Sequence, residues 1–241
     1  ASLVAIGDNA LTANTTASNN TAVGKDALLS NTSGAGNVGL GFEAMDANTT
    51  GAANTALGNN ALGSNTTAAN NTAVGHDALK ANTTGSENTA VGKNAGDAVT
   101  TGEDNTAIGY AALGECTTGD SNTAVGRSAL NNNTTGHSNT AVGVQSQEDT
   151  STGVRNTSIG MNSMLQNTSA SDNTALGFAA LQQNTTGADN TAVGKDALLN
   201  NTTAANNTAV GYDALQANTT GANNTAVGKG ALDACTTGSS N

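Results

Sequence analysis

Hydrophobic and polar positions recur with a period of 17 residues along the whole chain. Counted from an asparagine, one repeat reads N-T-A-V-G-x-x-A-L-x-x-N-T-T-G-x-x, as in the segment 71–87. No insertion or deletion interrupts the pattern between Gly7 and Gly228, and glycine stands at position 5 of all 14 repeats. A short fixed period is typical of a solenoid, in which each repeat forms one coil and stacks on the next. The sequence therefore predicts 14 stacked coils of 17 residues.

Two columns of aliphatic residues predict the core of these coils. Position 4 is Ile, Val or Leu in every coil, and position 9 is mostly Leu. Alternation along a strand places positions 2 and 4 on the same face, so we expect both to point inward. The predicted core residues are Val23, Leu28, Val74, Leu79, Val193, Leu198, Val210 and Leu215.

Columns of small residues predict the turns and the close contacts. The invariant glycine of position 5 suits a corner that needs a positive φ or tight backbone contact. The representative turn glycines are Gly24, Gly75, Gly194 and Gly211. Positions 3 and 8 hold only Ala, Gly or Ser, which indicates close approach by another backbone of the same chain or of a second chain.

Asparagine at position 12 predicts a ladder of stacked amides. It is replaced in four coils by Val99, Cys116, Thr150 and Cys235. Exchange of Asn for Val or Cys indicates an inward side chain, and stacked amides can hydrogen-bond from coil to coil. Asn14, Asn48 and Asn184 also begin N-glycosylation sequons, which we interpret as a by-product of the ladder.

Position 6 collects nearly all of the aromatic and basic side chains. A solvated rim explains such variety, and a strip for partner contact is the alternative interpretation. The candidate contact residues are Phe42, Tyr110, Arg127, Phe178 and Tyr212. Two coils are expected to be weak, because Gly96 and Gln147 replace the leucine of position 9.

Composition argues against an ordinary globule and against several classes of partner. Aromatic residues make up 2% of the chain, and it contains neither Trp nor Pro. The formal charge is −11, so we expect no binding to nucleic acid or to anionic membranes. The sequence contains no run of 18 apolar residues, so we expect no membrane insertion. Cys116 and Cys235 lie seven coils apart, roughly 33 Å, so they cannot pair within one chain.

No catalytic constellation emerges from the sequence. His76 and His137 stand at different positions of distant coils, and no nucleophile, metal-ligand or phosphate-binding spacing is present. We therefore expect no enzymatic activity, no cofactor and no bound metal. The narrow core instead favours self-association, either as a homotrimer of parallel coils or as an end-to-end filament that covers the open sheet edges.

The motifs Leu3–Gly7 and Asn105–Gly109, together with the many NTAVG units, resemble the head repeats of YadA-like trimeric autotransporter adhesins. Similar arrays occur in surface fibres of phages and bacteria. The resemblance implies a left-handed, homotrimeric, extracellular β-roll at a cell surface or in a virion fibre, with a host-surface or matrix ligand. The adhesin repeat is shorter, and the NTTG half of each coil is an addition here.

The sequence thus predicts an all-β parallel β-solenoid, or β-roll, forming a single domain over residues 1–241. The predicted function is a non-enzymatic extracellular structural fibre or adhesin shaft. The alternatives are a subunit that polymerises head to tail into a surface filament and a phage tail-fibre shaft. An ice-binding solenoid is least favoured, because the adjacent threonines of positions 13 and 14 would point to opposite faces of a strand.

Overall fold

The computed structural model describes residues 2–241 and confirms an all-β parallel solenoid of 17-residue coils. The described residues form 14 strands and no helix. The strands are β1 (Leu3–Ile6), β2 (Asn20–Val23), β3 (Val38–Leu40), β4 (Thr55–Leu57), β5 (Thr72–Val74), β6 (Thr89–Val91), β7 (Thr106–Ile108), β8 (Thr123–Val125), β9 (Thr140–Val142), β10 (Thr157–Ile159), β11 (Thr174–Leu176), β12 (Thr191–Val193), β13 (Thr208–Val210) and β14 (Thr225–Val227).

The chain divides into two compact units, one ending at Ser121 and the other running from Asn122 to Asn241. The first unit contains β1–β7 and the second contains β8–β14. A single domain over residues 1–241 stays a prediction, as do the left-handed winding and the trimer.

Within each unit, neighbouring strands pair in parallel with the equivalent strand of the next coil. In the first unit Thr72 pairs with Thr89, and in the second Thr191 pairs with Thr208. The register is thus one repeat, which keeps like residues above one another at the strand spacing of about 4.8 Å. This pairing is what the gapless repeat predicts.

The side-chain alternation is opposite to the predicted one. Position 3 points inward, and Ala73 and Ala192 are 0% exposed. The predicted core residues Val23, Val74 and Val193 are only half-buried on the outer side of the sheet, and Val210 is exposed. The predicted valine core line is therefore wrong.

The reason lies in the width of the coil interior. A Cβ placed on Gly39, at position 3, would lie 3.4 Å from the side chain of Leu28 and 3.4 Å from the carbonyl oxygen of Ala44. Only a side chain as small as that of Ala or Ser fits between the strand and the opposite wall. The small residues of positions 3 and 8 thus face each other across the interior of one chain.

The leucines of position 9 fill the remaining interior. Leu28, Leu198 and Leu215 are fully buried, and Leu79 is nearly so. Their backbone lies in the left-handed region, with φ of +49° at Leu79, which is unusual for a bulky residue. This conformation turns the chain sharply and aims the leucine at the alanine columns. Position 7 and position 17 share the left-handed φ, as at Asp77 and Glu87.

The turn glycines of position 5 adopt the conformation that only glycine tolerates. Gly24, Gly75, Gly194 and Gly211 have φ between +135° and +138°. A Cβ at Gly24, Gly75 or Gly194 would also collide with the carbonyl group of the equivalent glycine in the next coil. Both reasons explain why no coil accepts another residue at this position.

Two ladders of buried asparagines run through the coils. At position 12 the side-chain amide of Asn48 donates to the side-chain oxygen of Asn31 at 2.8 Å and to the carbonyl of Gly51 at 3.0 Å. At position 1 the backbone N–H of Asn37 donates to the side-chain oxygen of Asn20 at 2.7 Å. The first ladder is the predicted one, whereas the second was not predicted.

The ladder also accounts for the sequons. Asn48 and Asn184 are fully buried and Asn14 is half-buried. The side-chain oxygen of each accepts a hydrogen bond from the asparagine of the next coil. The threonines of position 13 likewise bind the next coil, as Thr66 Oγ1 donates to the carbonyl oxygen of Thr83 at 3.1 Å.

One coil of the second unit has a polar interior, as expected. Gln147 takes the place of the core leucine and is fully buried, with its Nε2 3.3 Å from the side-chain oxygen of Asn139. The side-chain oxygens of Gln147, Thr150 and Asn133 are buried without a hydrogen-bond partner among the described residues. Unsatisfied buried oxygens of this kind cost stability.

Candidate functional site

In each unit the outward side chains of positions 2 and 4, here called the outer face, form two rows along the sheet. Position 2 is Thr in twelve coils and Val in two, position 4 is always aliphatic, and neither carries a charge in any coil. In the first unit Val91 pairs with Ile108, which is 40% exposed; in the second Ile159 pairs with Leu176, which is 36% exposed. Each unit thus presents an uninterrupted aliphatic row to solvent.

One side of the outer face is bordered by position 6, here called the cationic flank. All four aromatic residues of the chain and five of its seven Lys and Arg residues stand at this position. The predicted contact residues Phe42, Tyr110, Arg127, Phe178 and Tyr212 are all exposed along it.

Cations and rings interleave on the cationic flank. Lys25 Nζ lies 5.6 Å from the ring centre of Phe42. Lys195 Nζ lies between the rings of Phe178 and Tyr212, at 5.8 and 5.2 Å, and Lys229 Nζ is 5.6 Å from the same tyrosine ring. Ammonium groups therefore lie over aromatic rings along this flank, an arrangement that favours cation–π attraction.

The opposite side of the outer face is bordered by positions 16 and 17, here called the acidic flank. Its acidic residues are Glu87, Glu103, Asp104, Asp120, Asp172 and Asp189, all exposed. Its one Arg or Lys, Arg155, binds Asp172 through two hydrogen bonds of 2.7 Å. This guanidinium lowers the pKa of the Asp172 carboxyl. The outer face thus lies between borders of opposite charge.

No catalytic or metal geometry appears in the described residues. They contain no cavity and no group of three His, Cys, Asp or Glu side chains able to hold a metal ion. His76 Nδ1 lies 2.8 Å from its neighbour Asp77, and His137 Nδ1 lies 3.3 Å from Ser138 Oγ. Burial raises the pKa of the Cys116 thiol to about 11. No helix in residues 2–241 is long and apolar enough to cross a membrane.

Comparison with family models, with curated proteins and with solved structures finds no match to this chain. The resemblance to adhesin heads is therefore carried by the short motifs alone and stays a prediction. The function therefore has to be inferred from the outer face and its two flanks.

Sequence reasoning missed the outer face because it took aliphatic size as the sign of an inward residue. The better sign was the size limit at position 3, which is Ala, Gly or Ser in every coil. Position 4 accepts Val, Ile and Leu alike, which suits a surface row better than a close-packed interior.

Proposed function

We propose that this chain is a non-enzymatic structural segment of an extracellular fibre or adhesin shaft, which self-associates through its outer face. The observation that carries the proposal is the aliphatic row, because an apolar patch this regular on a soluble surface marks an interaction site. A cell-surface or virion location, and a host-surface or matrix ligand, follow from the motif resemblance.

A second copy of the chain is the partner that fits this row best. Its own aliphatic side chains repeat at the same strand spacing of about 4.8 Å, so two copies match coil by coil. Uncharged threonines beside the row add hydrogen-bonding groups without the desolvation cost of a charge. Association through this row, as in the proposed homotrimer, buries the outer face of each copy.

The oligomeric state tests this proposal. Sedimentation velocity and light scattering over a concentration series are expected to show an assembly of defined size. Ile108→Lys with Leu176→Lys places one charge on the outer face of each unit and is expected to yield monomers, because both side chains are desolvated in the assembly. Thr118→Lys with Thr186→Lys adds the same charges at exposed position 14 of the same coils and should leave assembly intact.

Two results would contradict the proposal. One is a wild-type chain that stays monomeric at every concentration. The other is an assembly that survives Ile108→Lys with Leu176→Lys. Open-ended growth that survives this variant would instead favour end-to-end polymerisation through the sheet edges.

An ice-binding surface is a second candidate. The rows that support it are those of positions 2 and 4, whereas the sequence pointed to the threonines of positions 13 and 14. The Thr hydroxyls of position 13 donate to the next coil, as Thr83 Oγ1 does to the carbonyl oxygen of Thr100 at 3.0 Å. The Thr and aliphatic rows of positions 2 and 4, however, lie on one face at regular spacing. Inhibition of ice recrystallisation by a monomeric wild-type chain, lost in Ile108→Lys with Leu176→Lys, would replace the fibre proposal with this one.

A further inference from the structure

Charged residues of opposite sign border the same strand in each unit. In the first unit β6 is preceded by Glu87 on the acidic flank and followed by Lys93 on the cationic flank. In the second unit β12 is preceded by Asp189 and followed by Lys195. All four side chains are exposed, and the two members of each pair lie on either side of one strand.

The direction of association decides which flanks meet. Rotation about an axis parallel to the coil axis brings the cationic flank of one copy against the acidic flank of the next. This holds for two copies and for a closed ring. If the copies ran in opposite directions, each flank would meet its own kind across the outer face.

The charges favour the parallel arrangement. The cationic flank carries five Lys and Arg residues and one acid, Asp8, whereas the acidic flank carries six acids and one cation, Arg155. The adjoining position 7 holds five acids. The side chains of Asp26, Asp77 and Asp196 are each 15% exposed and are already paired with Lys25, His76 and Lys195. Glu43 and Asp213 are half-buried and follow Phe42 and Tyr212, so position 7 places no acid directly after Lys93. Like charges set against each other across an interface disfavour the wrong arrangement.

The position of the pairs also sets the register. Because Glu87 and Lys93 flank the same strand, unstaggered copies place Lys93 of one copy beside Glu87 of the next. Asp189 and Lys195 meet in the same way. Lys93 forms no ion pair within residues 2–241, and its neighbour at position 7 is the uncharged Asn94. Lys195 keeps Asp196 at 3.3 Å, yet its ammonium has three donors and can serve a second carboxylate.

We infer that copies of this chain associate in parallel and in register, and that Lys93 with Glu87, and Lys195 with Asp189, of neighbouring copies select this arrangement. The inference rests on the proposed self-association and adds its direction and its specificity-determining residues. Each pair lies within one unit, so each acts by itself.

Charge reversal with rescue tests the inference. Lys93→Glu with Lys195→Glu sets acids against acids, and Glu87→Lys with Asp189→Lys sets cations against cations. Each variant is expected to raise the dissociation constant at low salt by about tenfold or more. The fourfold variant that combines all of these changes keeps the net charge, restores unlike pairs and is expected to return the dissociation constant to within about threefold of wild type.

A matched control separates local pairing from total charge. Thr84, Thr101, Thr186 and Thr203 all stand exposed at position 14. Their fourfold replacement by Glu makes the same change in net charge as Lys93→Glu with Lys195→Glu, and it should leave the dissociation constant within about threefold of wild type. Circular dichroism would verify that each variant keeps its strands.

The outcomes distinguish this inference from the proposed function. Two results would overturn the inference. In one, Lys93→Glu with Lys195→Glu assembles as tightly as wild type. In the other, the fourfold variant has a dissociation constant as high as those of the two double variants it combines. If Ile108→Lys with Leu176→Lys still dissociates that assembly, the proposed function stands. A wild-type chain that never assembles would overturn both.

Discussion

The side-chain amide of Asn65 donates a hydrogen bond to the side-chain oxygen of Asn48, one coil earlier, at 2.7 Å. The same amide donates to the carbonyl oxygen of Ala68 at 3.2 Å. Every rung thus has a direction, because the later coil donates and the earlier coil accepts. A ladder of this kind loses a partner wherever a coil lacks the asparagine, and Asn82, which precedes Val99, indeed has an unpaired side-chain oxygen.

Removing an inner rung should destabilise the first unit. Asn65→Ala leaves the side-chain oxygen of Asn48 without its donor, removes one acceptor of the Asn82 amide, and opens a small void. We expect a loss of about 2–4 kcal/mol in the free energy of unfolding, measured by urea denaturation. Asn70→Ala, at an exposed position of the same coil, should cost far less. Equal losses for the two variants would contradict the role of the ladder.

Restoring a missing rung should stabilise the second unit. Thr150→Asn supplies a donor for the orphaned oxygen of Asn133, an acceptor for the amide of Asn167, and removes a buried hydroxyl that lacks a partner. We expect a gain of about 1–3 kcal/mol, again from urea denaturation. The control is Thr152→Asn, which changes an exposed residue of the same coil and should be nearly neutral. A destabilised Thr150→Asn chain would show that this coil cannot accommodate the ladder geometry.

The two glycine columns should respond differently to alanine. Gly75 has φ of +138° and its added Cβ would collide with the backbone of Gly92, so Gly75→Ala is expected to cost about 3 kcal/mol or more. A Cβ on Gly85, at position 15, would also meet the carbonyl oxygen of the next coil's Gly102. The φ of Gly85 does not lie in the left-handed region, however, and Ala68 occupies the same position of the preceding coil, so Gly85→Ala is expected to cost less than Gly75→Ala. The urea midpoints of the two variants check this difference. A Gly75→Ala chain as stable as Gly85→Ala would contradict the assignment of position 5 as the strict corner.

The two free cysteines should differ in reactivity and in their effect on stability at high pH. Cys116 is buried, and burial raises the pKa of its thiol from 9.0 to about 11, whereas Cys235 is half-buried. The folded state holds the proton of Cys116 when the unfolded state has lost it, so its contribution to stability is complete below about pH 9 and declines as the pH rises towards about 11.

Thiol labelling and alkaline denaturation check this prediction. A thiol reagent at pH 8 is expected to modify Cys235 in the folded chain and Cys116 only after unfolding, because the thiolate is the reactive form. The loss of stability between about pH 9 and pH 11 should be smaller in Cys116→Ala. Fast labelling of Cys116 in the folded state would contradict its burial.

The sequence was sufficient for the architecture because the repeat alone sets the register. The constant spacing of Asn71 and Asn88 places one above the other in any stack of identical coils. At position 12 the replacement of Asn by Val99 indicated correctly that the side chain points inward. The sequence was not sufficient for the direction of Val74. Hydrophobicity and strand alternation permit either face, and only the closed width of the coil decides that the alanine turns inward.

Backbone conformation explains the remaining misses. Nothing in a leucine predicts the φ of +49° at Leu79, because that conformation is imposed by coil closure and not by local preference. The second ladder, through Asn37, was hidden because position 1 is Asn in every coil but the first, where Leu3 stands, so there is almost no exchange to indicate its environment. The flanks of the outer face became visible only when positions 6 and 16–17 were seen on either side of one strand.

Thiol reactivity at position 4, followed as a function of concentration, tests the central claim most directly. In a chain with Cys116→Ser and Cys235→Ser, we would introduce Ile108→Cys, with Thr118→Cys as the control in the same coil. The outer face predicts fast labelling of residue 108 in dilute solution and strong protection at high concentration, with residue 118 labelled equally in both. Slow labelling of residue 108 at every concentration would contradict its outward direction, and fast labelling at every concentration would contradict self-association through this face.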